Sequence, residues 1–193
     1  PLLIEGVYQK TEAGNLPIVR ESDGLTSFTA YKKPFSMTSA VKPVLTIIIS
    51  DFGLSKSSSE MAYDILPPEV TYSLSPYADM PGEWAKILRQ SGREFWMNIP
   101  FENISDTPSD SGAFTIFTKS SYVKNQKAMH RALTQAQSYP GVSTSFAAGQ
   151  SESHDISQIK KGGEEIFGRG LGILELNPKP DPALSNLNLT KNA

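Results

Sequence analysis

The stretch VLTIIISDFGL, running from Val44 to Leu54, decides the fold. Val44 to Ile49 has no polar face, the pattern of a strand buried on both sides in a parallel sheet covered by helices. Asp51 falls where that strand ends, with Phe52 and Gly53 after it. Functional groups of α/β sheets gather at the carboxyl ends of strands, which sets Asp51 facing a site. A second reading stands beside it: an ordinary aspartate at a strand-to-helix turn, capping the next helix.

Downstream, the chain alternates. Ser57 to Glu60 has the Ser-x-x-Glu spacing of a capping box, and Met61, Ala62, Ile65 and Leu66 recur at helical intervals until Pro67-Pro68. Val70 to Leu74 reads as a strand running into Ser75-Pro76-Tyr77-Ala78, and Asp79 to Gly92 as a helix with Pro81 in its first turn and a Trp84, Ile87, Leu88 stripe. Glu94 to Ile99 is a third strand leading into Pro100-Phe101-Glu102. Residues 103–120 form a long connection rich in Ser, Asp, Pro and Gly, read as a flap over the mouth of the sheet. Tyr122 to Tyr139 carries Met129, Ala132, Leu133 and Ala136 on one helical face, with His130 on the other, expected in solvent. Val142 to Phe146 and Leu171 to Leu176 supply two more strands around a helix marked by Ile156, Ile159, Ile166 and Phe167, which Gly162-Gly163 should weaken or kink. The alternation specifies parallel βαβ units with right-handed crossovers.

The chain divides into three regions: an extended N-terminal arm over 1–43, anchored by Tyr31 and Phe35 around Pro34; an α/β domain over 44–176; and a polar tail over 177–193. With 193 residues there is room for one domain with a substantial core. A net charge of -2 gives no electrostatic footprint for nucleic acid. No apolar run reaches the roughly 20 residues needed to span a bilayer. The absence of Cys excludes disulfides, thiolate metal sites and a cysteine nucleophile. The chain begins at Pro1, not Met, the expectation for a processed product whose export signal has gone.

Several segments, taken together, resemble the divergent polysaccharide deacetylase family. Its strand ending in Asp-Asp-Phe-Gly is matched by Ser50-Asp51-Phe52-Gly53, its Leu-Pro-Pro by Leu66-Pro67-Pro68, and its Pro-Tyr-Ala loop by Pro76-Tyr77-Ala78. The later His-Leu-Pro-Met-Glu-Pro segment is matched by Asn98-Ile99-Pro100-Phe101-Glu102-Asn103. The similarity covers roughly residues 25–176. It implies a deformed (β/α) barrel, exported to the periplasm or envelope, in which a divalent metal such as Zn activates water against an acyl group on a glycan. Fewer strands are present than such a barrel needs, so the domain is expected to be incomplete, with an open edge prone to association or completed by a partner chain.

Carried over residue by residue, Asp51 takes the place of the metal-binding second Asp. Ser50 replaces the first Asp, the expected base; Asn98 replaces a His; and Ser145 stands where the second His belongs. One carboxylate among neutral neighbours is a poor cage for Zn, so no cofactor is expected unless the site is rearranged. The leading expectation is a catalytically silent domain whose cleft binds a glycan or an envelope protein. Its lining would be Asp51, Tyr77, Asn98, Glu102, Ser145 and either Trp96 or Phe101. An active de-N-acetylase using Asp51 with Glu102 or His154, and a structural subunit, are the alternatives. Asp51-Phe52-Gly53 also matches the kinase magnesium tripeptide, but no Gly-rich phosphate loop or His-Arg-Asp segment accompanies it.

Overall fold

The strands predicted from apolar runs form one parallel sheet. The computed structural model describes residues 3–35, 43–102, 112–144 and 157–176. Strands β3 (Ile48–Phe52), β4 (Thr71–Leu74), β5 (Phe95–Asn98), β6 (Gly141–Thr144) and β7 (Gly172–Glu175) lie in the order of the sequence. The crossovers between them carry α2 (Lys56–Ile65), α3 (Pro81–Gln90), α4 (Tyr122–Leu133) and α5 (Ser157–Gly168). A sheet that winds one way throughout, with every neighbour parallel, is a barrel segment and not a doubly wound sheet. Among the described residues it does not close, and β3 and β7 are its edges.

One face of the sheet carries the core. Tyr72, Leu74, Phe95, Met97 and Val142 alternate along β4, β5 and β6 with no exposed surface, and Leu88, Met129, Leu133 and Ile166 of the helices join the same apolar cluster. The other face carries Ser73, Ser143 and Trp96. The Ser73 and Ser143 hydroxyls lie 2.6 Å apart, fully buried. Close backbone approach, Trp96 and Phe28 together require the glycines that begin β6 and β7, a Cβ on Gly141 lying only 2.3 Å from the Gly172 carbonyl oxygen and one on Gly172 2.9 Å from Phe28. A Cβ on Gly141 would also lie 2.5 Å from the Trp96 indole, and one on Gly172 would lie 2.9 Å from it.

The N-terminal arm has more structure of its own than its composition predicts. It contains a hairpin, β1 (Tyr8–Thr11) and β2 (Gly14–Pro17), and a short helix, α1 (Ser27–Tyr31). Thr26 and Thr29 close a capping box on α1. The helix then seals the amino-terminal end of the sheet: Phe28 N donates to Gly170 O, Ser27 Oγ donates to Tyr139 O, and the Phe28 ring meets Trp96 edge-on. Tyr31 anchors the arm as expected, buried beneath the Arg89 guanidinium, whereas Phe35 is 72% exposed and anchors nothing.

Three local expectations are corrected. The cap of α2 is Ser55, whose hydroxyl accepts from Ser58 N, because Ser55 has the extended backbone that a cap needs while Ser57 is already inside the first turn. The α2 stripe is not fully buried: Ala62 and Leu66 pack on the core, but Met61 and Ile65 face out. Gly162-Gly163 leaves α5 unbroken, since the helix is held along α4.

His130 is the clearest departure. Far from being solvated, its Nε2 meets Glu165 Oε1 and Arg169 Nη2 across the α4–α5 contact. Tyr122 and Gln126 donate to Glu165 Oε2 at 2.6 and 2.9 Å, and Arg169 donates to Oε1 through Nε and Nη2. Arg169 Nη1 also reaches Pro17 O, which ties β2 to the same point. Burial pushes the Glu165 carboxyl up, but the bonds from His130, Tyr122, Gln126 and Arg169 outweigh it and hold the group far below the usual carboxylate range.

Three outcomes are expected. A depressed folded-state pKa contributes stability above the unfolded-state value, and that contribution is lost as pH falls, so urea melts of the native chain should weaken below about pH 4.5. Glu165→Gln should cost about 2 kcal/mol at pH 7 and flatten that acid dependence. Gly53, directly after β3, has a left-handed backbone (φ 93), and a Cβ there would lie 2.5 Å from the Ala78 methyl. Gly53→Ala should therefore cost about 2–4 kcal/mol, read as a lower urea midpoint at unchanged slope.

Candidate functional site at the strand ends

The carboxyl end of β3 is shaped by a bulge. Ile48 pairs with Thr71 and Ile49 with Tyr72, but the next pair is Phe52 with Leu74, so Ser50 and Asp51 together oppose Ser73. Asp51 takes up the extra residue with a left-handed backbone (φ 56), a conformation aspartate tolerates better than most side chains. Its side chain is exposed at the strand end. Ser75 N donates to Phe52 O and Gly53 N to Ser59 Oγ, which fix the turn against the loop after β4.

Tyr77 projects from that loop, 39% exposed. Ser75 Oγ accepts from Tyr77 N, and the Tyr77 hydroxyl accepts from Phe114 N at 2.9 Å. The two rings lie 4.9 Å apart at 59°, forming an aromatic corner, with the Arg131 guanidinium over the Phe114 ring. Sequence reasoning does not single out Phe114 as a site residue. Its signal is the Phe-Thr-Ile-Phe run inside an otherwise polar connection.

Asn98 ends β5, half-buried, beside Ser143 of β6. Adjacent strands are spaced about 4.8 Å apart, so Asn98 and Asp51 stand roughly 10 Å apart across β4. Residues 103–111 of the expected flap lie outside the described residues; Glu102, just beyond Asn98, holds the described remainder, 112–120. Ile116 N donates to Pro100 O, Glu102 N donates to Ile116 O, and Glu102 Oε2 accepts from Thr118 N at 2.7 Å and Thr118 Oγ1 at 3.1 Å. Asn125 holds the far side through both Phe117 N and Phe117 O.

The other lining expectations fare differently. Phe101 is buried and bridges Ile116, and Trp96 faces Phe28 at the opposite end of the sheet, its indole N–H donating to Glu94. Neither offers a ring at the mouth. Ser145 and His154 lie outside the described residues. Two surface cavities lie elsewhere, one beside Tyr31, Lys32, Lys33 and Arg89, the other beside Gly6 and Arg20.

The described donor set does not fit the metal that the family resemblance implies. Among the described residues no three His, Cys, Asp or Glu side chains come together, and the neighbours of Asp51 at the strand ends are a serine hydroxyl and an amide. Zn is held by three or four imidazole, thiolate or carboxylate groups, and neutral oxygens do not replace them. No hydrolytic step is derived from this set.

Comparisons with known proteins agree with this architecture. The crystal structure of an uncharacterized protein from Agrobacterium tumefaciens C58 superposes with a TM-score of 0.73 at 27% sequence identity. The match covers 84% of this chain and 64% of that one, so this chain spans less than two thirds of that protein's length. No curated protein matches the sequence. No helix among the described residues is long and apolar enough to cross a membrane. The family model for divergent polysaccharide deacetylases matches residues 47–164, from the start of β3 into α5, and the chain belongs to that family.

Proposed function

We propose that this domain binds a glycan at the strand-end mouth without hydrolysing it, and that it does so in the cell envelope. The observation that carries the reading is the composition of the mouth. Among the described residues the exposed Asp51 carboxylate stands with the Asn98 amide, the Ser50 hydroxyl and the Tyr77–Phe114 corner. Sugars present C–H faces to aromatic rings and hydroxyls to amides and carboxylates, so this set suits recognition. Hydrolysis of an amide at neutral pH needs an activated water, and a lone carboxylate with neutral neighbours supplies weak activation for a nucleophile of pKa about 16. The envelope location rests on the family's habits.

The test is a calorimetric titration with a chitooligosaccharide, run beside an acetate-release assay with and without added Zn. Saturable binding with no acetate released is expected, and Tyr77→Ala should weaken it by about tenfold or more, roughly 1.4 kcal/mol. Tyr77→Phe, which keeps the ring and loses the hydroxyl, should weaken it less. Acetate release above the buffer rate, or absence of saturable binding by the folded native chain, would overturn the proposal.

A further inference from the structure

We infer that the cavity between the end of α1 and the end of α3 is a site for a phosphate group, separate from the strand-end mouth. The cavity, about 560 Å³, is lined by Tyr31, Lys32 and Lys33 of the arm and by Arg89, Gln90 and Gly92 at the end of α3. Three cations therefore border one concave surface. Among the described residues none of the three side chains has a carboxylate within ion-pair distance. The Lys32 ammonium stands 5.1 Å from the centre of the Phe28 ring, the Lys33 ammonium donates to Pro68 O at 2.8 Å, and Arg89 donates to Ser138 O and Tyr31 O. A ring and carbonyls are neutral partners, so they leave each charge uncompensated.

A simpler account is that these cations answer the carbonyl ends of α1 and α3, each of which carries at most about half a negative charge. Two such ends and one carboxylate, Glu94, oppose three cations, which leaves the cavity positive by about one charge. Glu94 is also occupied: Oε2 accepts from Lys33 N and Oε1 from the Trp96 indole. Burial pushes the Arg89 guanidinium down from its ordinary value, and the pull of Glu94, Tyr8 and Tyr31 does not restore it. Arg89 spends Nε and Nη2 on carbonyls, while Nη1 has no partner among the described residues. That leaves a poor two-pronged grip for a planar carboxylate, whereas an ammonium acts as a point charge with three donors. Separate donors from three side chains suit a tetrahedral phosphate, free or as the phosphodiester of a larger molecule.

The experiment titrates the 193-residue chain with inorganic phosphate and, separately, with the phosphodiester glycerophosphoglycerol, each against chloride at equal ionic strength, and follows backbone amide shifts by NMR. Saturable shifts at Lys33 and Gly92 are expected, with the amides of Asp51 and Tyr77 unmoved. Lys32→Gln and Lys33→Gln change exposed residues and should each raise the phosphate midpoint about fivefold, circular dichroism remaining native. Lys124→Gln, on an exposed position of α4, should leave it unchanged. A response to inorganic phosphate alone supports a free anion as the ligand, and an equal response to the phosphodiester supports a phosphate carried on a larger molecule. Shifts that chloride reproduces, or a midpoint that neither lysine variant moves, would overturn the inference.

Discussion

The bulge at Ser50-Asp51 is the constraint on which both the core and the mouth depend. Ile49 and Phe52 are three residues apart, so in a regular strand they would face opposite sides of the sheet. Two residues against one restores the phase and returns Phe52 to the core, where its ring lies 4.6 Å from Tyr72 and 5.0 Å from Trp84. Burying a phenylalanine is worth about 1.5–3 kcal/mol, enough to offset the roughly 1–2 kcal/mol of a left-handed aspartate. Asp51 is left exposed at the strand end as a consequence. Its position at the mouth is therefore explained by the packing of Phe52 before any chemistry is assigned to it.

The two ends of the sheet divide the work. At the amino-terminal end α1 plugs the sheet against Trp96, and the carboxyl ends of α4 and α5 meet there too, because each crossover helix runs back against the strands. The cluster of His130, Glu165 and Arg169 belongs to this end, where side chains of parallel α/β barrels serve stability. The carboxyl end instead gathers loops: the Gly53 turn, the Tyr77 loop, and the segment 112–120 held by Glu102 and Asn125. Polar side chains there are fixed by loop amides and leave the Tyr77–Phe114 corner and Asp51 toward solvent.

Much of this is legible in the sequence because it is written in short periods. Apolar runs and helical stripes locate the sheet, and the helix read over Asp79 to Gly92 is α3, which starts two residues later, at Pro81. The motif pieces around Asp51, Tyr77 and Glu102 mark three loops that do lie at one end of the sheet. Sequence spacing does not encode pairing between distant segments. The bulge depends on where β4 stands, the partnering of His130 on Glu165 thirty-five residues away, and the loss of Trp96 to the opposite end on Phe28 and two strand glycines. The hairpin escapes because its strands are four residues each and mostly polar or glycine-bearing, too short for periodicity to register.

The proposed reading turns on a mouth in which Asp51 stands, among the described residues, without two further side chains of the kind that hold an ion. Elemental analysis of the native chain, purified without chelators and compared with Asp51→Ala, tests this most directly. The account predicts a transition-metal content far below one equivalent per chain, the same in both proteins. One equivalent of Zn in the native chain that disappears from Asp51→Ala would contradict it.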